Sequence, residues 1–227
     1  MPIDTIRHQK LFSPTEFAPR RVDIIGAGAT GSRIALGVAK LGVENIHVWD
    51  FDTVAKHNIA NQIYGDSDVG VLKVKALASI ILATIGLKIE VHAEKVDGTQ
   101  QLGDVVFVLT DTMESRKAIW EKGLKFKLRT KLVIETRMGT DNARIYTVNP
   151  NKLAHVKGWE QTLYTSAESE VSACGTKTSV GPTAEIISGL AVWQMMRWFA
   201  IEQGAEDTLE NELLVFLRPT AIMSRNF

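Results

Sequence analysis

Arg21-Val22-Asp23-Ile24-Ile25-Gly26-Ala27-Gly28-Ala29-Thr30-Gly31 is the stretch that decides the architecture. Its first five residues, Arg21 to Ile25, are a short β-branched run that stops at a glycine, as a parallel strand buried on both faces does. Beyond the glycines, Ile34, Ala35, Val38, Ala39 and Leu41 fall at helical spacing within Thr30 to Leu41. The order is strand, turn, helix. Glycines at 26, 28 and 31 suit a tight turn whose bare backbone lets a phosphate or ribose approach the amides at a positive helix end, although such a triplet also serves packing alone.

The same alternation continues outward. Asn45 to Trp49 reads as a strand with Asp50 at its carboxyl end, Leu72 to Ile85 as a helix closed by Gly86, and Ile89 to His92 as a strand. Val105 to Leu109 is a buried strand running into Thr110-Asp111, Ser115 to Gly123 is helical, and Leu132 to Glu135 is a further strand. This pattern predicts an α/β fold, a doubly wound, mostly parallel, Rossmann-like sheet with right-handed crossovers and ligand beyond the carboxyl ends of its strands. After Gly139 the pattern changes. Ala143 to Val148 is expected to run antiparallel, residues 149–178 are polar and irregular, and Gly181-Pro182-Thr183 opens a long apolar helix to about Phe199. Leu213 to Leu217 and Thr220 to Met223 are expected to close the sheet as antiparallel C-terminal strands, so that residues 1–227 form a single nucleotide-binding domain.

At 227 residues the chain can bury a sizeable core but is short for two full domains. Its 26 basic and 26 acidic residues balance, which argues against long-range steering to nucleic acid or an anionic membrane and leaves room for a local basic patch. The single cysteine, Cys174, excludes an intrachain disulfide and a paired-cysteine zinc site. The N-terminus lacks the apolar core of a signal peptide and no apolar run is long enough to span a bilayer, so a cytoplasmic protein is expected. Of the five histidines, His47 and His92 lie inside strands and read as structural.

Asp50 stands where a dinucleotide fold places an acid on ribose hydroxyls, and NAD would satisfy it. Hydride transfer leaves unexplained the second acid Asp52, then Asn58, the Val69-Gly70-Val71-Leu72-Lys73 run and Thr110-Asp111. With these residues in place the chain resembles the ThiF/MoeB/HesA family, bacterial relatives of ubiquitin-activating enzymes. The family pattern of glycine turn, Asp-x-Asp-x-Val, Asn-x-x-Arg-Gln, Val-Gly-x-x-Lys and Thr-Asp-Asn-x-x-x-Arg is matched at several points. These are Gly26, Gly28 and Gly31; Asp50, Asp52 and Val54; Asn58 and Gln62; Val69, Gly70 and Lys73; Asp111 and Arg116.

The resemblance implies a homodimeric adenylyltransferase that holds ATP and Mg2+ and joins AMP to the C-terminal carboxylate of a small ubiquitin-like or sulfur-carrier protein. On that reading Asp50 holds the ribose, Asn58 and Lys73 the phosphates, and Asp111 the magnesium ion, with Asp52, Asn61, Gln62 and Arg116 around the nucleotide. Magnesium takes hard oxygen ligands, one or two carboxylates completed by phosphate and water. A carboxylate attacking an α-phosphate brings two anions together, so Lys73 and the metal must neutralise charge.

Departures from the pattern are Asn61 in place of arginine, which removes a fixed cation, Thr112 after Asp111 in place of asparagine, and the absence of Cys-x-x-Cys clips. Arg7 is the candidate for an arginine lent by the partner subunit, and Arg33 is a further phosphate cation candidate. Cys174, near a helix start and three residues from Lys177, is a candidate nucleophile for a thioester or persulfide, or an inert buried thiol. Alternatives in other classes are a non-catalytic nucleotide-holding interaction module and an NAD-dependent oxidoreductase. A variant adenylating a carboxylate on a transfer-RNA nucleoside is disfavoured by the neutral charge.

Overall fold

Residues 3–164 and 180–227 are described by a computed structural model. Eight strands form one sheet: β1 (Val22–Ile25), β2 (Ile46–Trp49), β3 (Glu90–His92), β4 (Val105–Val108), β5 (Leu132–Met138), β6 (Asn142–Val148), β7 (Glu212–Leu217) and β8 (Thr220–Arg225). Their order is β3-β2-β1-β4-β5-β6-β7-β8, parallel from β3 to β5 and antiparallel from β5 to β8. The expected doubly wound sheet with an antiparallel C-terminal part is what the chain forms. Chain direction around the sheet reverses between β1 and β4, where a crevice opens beyond their carboxyl ends.

Helices cover both faces: α1 (Pro14–Phe17), α2 (Ala29–Lys40), α3 (Lys73–Ile85), α4 (Met113–Ile119), α5 (Leu153–Glu160) and α6 (Gly181–Glu202). Alternate residues of the central strands feed two cores. Val22, Ile24, Val105, Phe107 and Ile134 pack with α2, α3 and α6, whereas Ile25, Val106, Val108 and Val133 pack with α4 and α5. Gly86 ends α3 in the left-handed conformation, φ +72°, as its position predicts.

Several boundaries differ from expectation. Residues 149–178 were expected to be irregular throughout, yet Leu153–Glu160 is helical, because Val156 and Trp159, spaced three apart, bury against the sheet. Two apolar residues in a polar stretch give almost no periodic signal, so tertiary packing decides. β5 continues three residues past its expected end, which puts Glu135 in the middle of a buried strand. The helix after Thr112 widens its register at Ile119 and finishes as a π-helical turn, Trp120–Leu124. Among the described residues no helix is long and apolar enough to cross a membrane.

Candidate functional site

Each glycine of the turn between β1 and α2 has a different physical reason. Gly26 adopts φ +101°, and a Cβ there would lie 2.8 Å from the Leu109 carbonyl oxygen of the neighbouring strand end. At Gly31 a Cβ would lie 1.8 Å from the Gly26 carbonyl oxygen, so the first turn of α2 can close on the loop only without a side chain. Gly28, just before α2, meets nothing within 4 Å. A Cβ at Gly28 would enter open space over the helix N-terminus, and that space is what an approaching phosphate or ribose needs.

Asp50 closes this turn from the side. Its Oδ2 accepts the Ala27 amide at 2.7 Å and its Oδ1 the Asp52 amide at 2.8 Å. Burial pushes its carboxyl above the ordinary carboxylate range, against the pull of the two amides and the Lys73 charge. Tyr64, which sequence reasoning passed over, fastens the same turn by donating to the Ala27 carbonyl at 2.7 Å and lying 3.4 Å from that of Lys73. Burial pushes its phenol upward, so it remains a donor.

The Val69-Gly70-Val71-Leu72-Lys73 run gains its meaning from a short antiparallel pairing. Val54 donates to the Val71 carbonyl, Gly70 to that of Val54, and Lys73 to that of Asp52, with Thr53 bridged to Leu72. Gly70 makes the bend at φ +86°. Lys73 thus starts α3 directly across from Asp52, and its Nζ reaches Asp52 Oδ2 at 2.8 Å. Lys73 is nearly buried while half of the Asp52 side chain faces solvent, so the pair stands at the mouth of the crevice.

Asn58 is buried, and its Oδ1 accepts the Ala55 amide at 2.9 Å, shaping the loop that carries Asn61 and Gln62. Arg33 on α2 donates to the Asn61 carbonyl at 2.6 Å and pairs with Glu185 of α6 at 2.8 Å, so it ties this loop to two helices. Gln62 Oε1 and Thr110 Oγ1 are buried without a hydrogen-bond partner among the described residues. Polar atoms of this kind are costly unless a ligand or water completes them, which fits a polar nucleotide in the crevice.

Asp111 is exposed just past β4, beside the end of β1. Thr112 accepts the Ser115 amide at 3.2 Å and caps α4, a task asparagine would perform equally well, so this departure from the family pattern is structurally neutral. Arg116, which the resemblance places around the nucleotide, is engaged within the chain. Its guanidinium is buried, paired with Glu135, and donates to the carbonyls of Thr110 and Thr136. It therefore fixes the strand end that carries Asp111.

Arg7 is exposed beside His8, whose Nε2 lies 3.1 Å from the Leu41 carbonyl at the far end of α2, roughly 18 Å along the helix axis from the glycine turn. Within one chain it is remote from the crevice. Cys174 lies outside the described residues.

Asp50, Lys73 with Asp52, the glycine turn and Thr110-Asp111 thus meet at the adjacent ends of β1, β2 and β4. Solved structures with the same fold include Escherichia coli MccB with ATP, 14% identical with TM-score 0.70 over 94% of this chain and 65% of that one. MccB in complex with N-formylated MccA is 14% identical, with TM-score 0.73 over 94% and 66% of the two chains. PaaA is 17% identical, with TM-score 0.68 over 94% and 75%. The chain spans about 65% of the MccB length. No curated protein sequence matches it. The ThiF family profile matches residues 16–225, from α1 through β8, a span that includes the glycine turn, both acids of the Asp50-x-Asp52 pair, Lys73 and Asp111: this chain belongs to the ThiF family.

Proposed function

We propose that this protein uses ATP to adenylate the C-terminal carboxylate of a small peptide or of a ubiquitin-like or sulfur-carrier protein. The observation that carries the reading is the Lys73–Asp52 pair, set at the crevice mouth beside the Asp50-anchored glycine turn. A dinucleotide dehydrogenase needs the ribose acid but has no use for a cation held there. An attack by one anion on another does, because Lys73 can neutralise charge that grows on the phosphate oxygens. Asp52 keeps the Lys73 ammonium aimed before substrate arrives. The MccB structures with ATP and with the MccA substrate support the same chemistry class.

In this reading the open face of Gly28 admits the nucleotide, Asp50 accepts from the ribose, and Gln62 and Thr110 complete polar contacts. Asp111 would hold magnesium, which supplies neutralisation at the phosphates. The protein acts as a homodimer, with Arg7 serving the partner's crevice because its own lies at the other end of α2. Cys174 would attack the acyl adenylate to form a thioester with release of AMP, or would carry a persulfide whose outer sulfur comes from a sulfane-sulfur donor.

Exchange of labelled pyrophosphate into ATP tests this. Exchange should need magnesium and a partner ending in a free carboxylate, and Asp111→Ala should reduce it by about a hundredfold or more. Asp111 is exposed, so the fold should be unaffected. Cys174→Ala should retain exchange and lose any reducible adduct. Full exchange in Asp111→Ala defeats the metal assignment, and NAD turnover without exchange defeats the reading.

A further inference from the structure

A cavity of about 750 Å³ opens between β6, β8 and α5, away from the glycine turn. Arg137, Arg144, Lys157 and Arg225 line it with Tyr146 and Tyr164, and none of its twelve lining residues has an acidic side chain. In a chain of zero formal net charge this is a concentration of one sign.

The charge surplus is built in from below. Glu135 is fully buried and shared by Arg116 and Arg137, while Glu212, equally buried, is shared by Arg144 and Arg225. Each carboxylate neutralises one of its two arginines, so each cluster keeps one positive charge, and Lys157 on exposed α5 surface adds another. Arg144 and Arg225 are half exposed, 50% and 53%, and face the cavity. Tyr146, a residue with no exposed surface, carries the Arg137 guanidinium over its ring at 4.3 Å and so holds that cation in the wall. Arg116 joins the Glu135 cluster to the Thr110 carbonyl, so the cavity wall and the strand end before Asp111 are one hydrogen-bonded unit.

We propose that this cavity receives an acidic side chain of the protein or peptide whose terminal carboxylate is adenylated. The proposal rests on the adenylation reading and specifies its substrate class: a tail carrying aspartate or glutamate upstream of its end. A nucleic-acid strand calls for cations strung along a track, whereas here they converge on one concave volume with aromatic walls.

The test uses the full chain and short fluorescein-labelled peptides ending in Gly-Gly, with a glutamate or a glutamine placed at successive positions before the terminus. Binding is measured by fluorescence anisotropy without ATP, and pyrophosphate exchange is measured separately. At least one glutamate peptide should bind about tenfold more tightly than its glutamine counterpart, and added salt should narrow the gap. R225Q should remove about tenfold of affinity for the glutamate peptide and none for the glutamine one. K157Q, at an exposed position, should act in the same direction if R225Q disturbs folding.

Equal binding of the two peptides, or an equal loss for both in R225Q and K157Q, overturns the proposal. So does an RNA oligonucleotide that binds more tightly and is released by the same substitutions. Glutamate preference that emerges only when Glu168 and Glu170 are changed to glutamine would make an acid of this chain the occupant, and also overturns it. Glutamate-selective binding without exchange leaves the cavity's role standing and removes the adenylation reading; exchange indifferent to tail charge does the reverse.

Discussion

Asp50, just past the end of β2, and Glu135, in the middle of β5, are both buried acids of one sheet, yet their surroundings treat charge in opposite ways. Asp50 is met by backbone amides and one lysine, and burial wins, so its carboxyl binds a proton more readily than usual. At Glu135 burial also opposes ionisation, but the charges and hydrogen bonds of Arg116 and Arg137 outweigh it and hold the carboxyl below its ordinary range. The parallel half thus holds a carboxylate at a cost, as a binding crevice does. The antiparallel half locks its carboxylates in place and leaves arginines to spare.

The largest effect expected of any change is at the locked end. Glu135→Gln leaves Arg116 and Arg137 buried without their counter-charge and should cost about 3–5 kcal/mol in urea unfolding. A loss below about 1 kcal/mol would erase the contrast between the two halves. Next comes Gly31→Ala, whose methyl would meet the Gly26 carbonyl and should cost about 3 kcal/mol. Gly28→Ala sharpens the comparison within the same turn. Its methyl meets only open space, so stability should change by no more than about 0.5 kcal/mol while ATP affinity falls about tenfold, measured by calorimetric titration.

The smallest effects are in pH dependence, and their signs differ. Asp50 has its folded pKa raised, so the native state holds the extra proton and the contribution of this group to stability declines as pH rises through the window above 3.8. On the proposed role of Asp50, protonation would also remove the ribose acceptor, so the acid limb of exchange should lie above 3.8 and flatten in Asp50→Asn. Glu135 is depressed, so its contribution is fully present above the ordinary value of 4.5 and is lost as pH falls through its lower folded pKa. The stability gap between wild type and Glu135→Gln, measured against pH, should therefore be full above 4.5 and narrow on the acid side.

The crevice was legible because its pieces are local. A strand, a glycine turn and a helix follow one another in sequence, and Asp50, Lys73 and Asp111 sit at element ends that periodicity marks. Asp52 and Lys73 could be matched to a family pattern, but their pairing depends on a bridge between Thr53 and Leu72 that no periodicity reveals. The antiparallel half was legible only as strands. Its ion clusters join Arg116 to Glu135 and Arg144 to Glu212 and Arg225, residues far apart in sequence that meet through strand register. The partners of Arg116 were not legible for that reason: its motif position marks a nucleotide site, and its counter-charge comes from a strand longer than its pattern shows. Tyr64 went unnoticed because a single tyrosine in a loop carries no pattern.

Trp49 ends β2 one residue before Asp50, and its indole stacks on His92 at 3.7 Å. Burial foremost lowers the His92 pKa, so that ring is uncharged near neutrality. The Asp50 amide in turn donates to the His92 carbonyl at 3.1 Å. The Asp50 end of the crevice consequently contains its own optical reporter: loading with nucleotide should alter Trp49 emission, and acidification should quench it as the imidazole charges, with no dye attached.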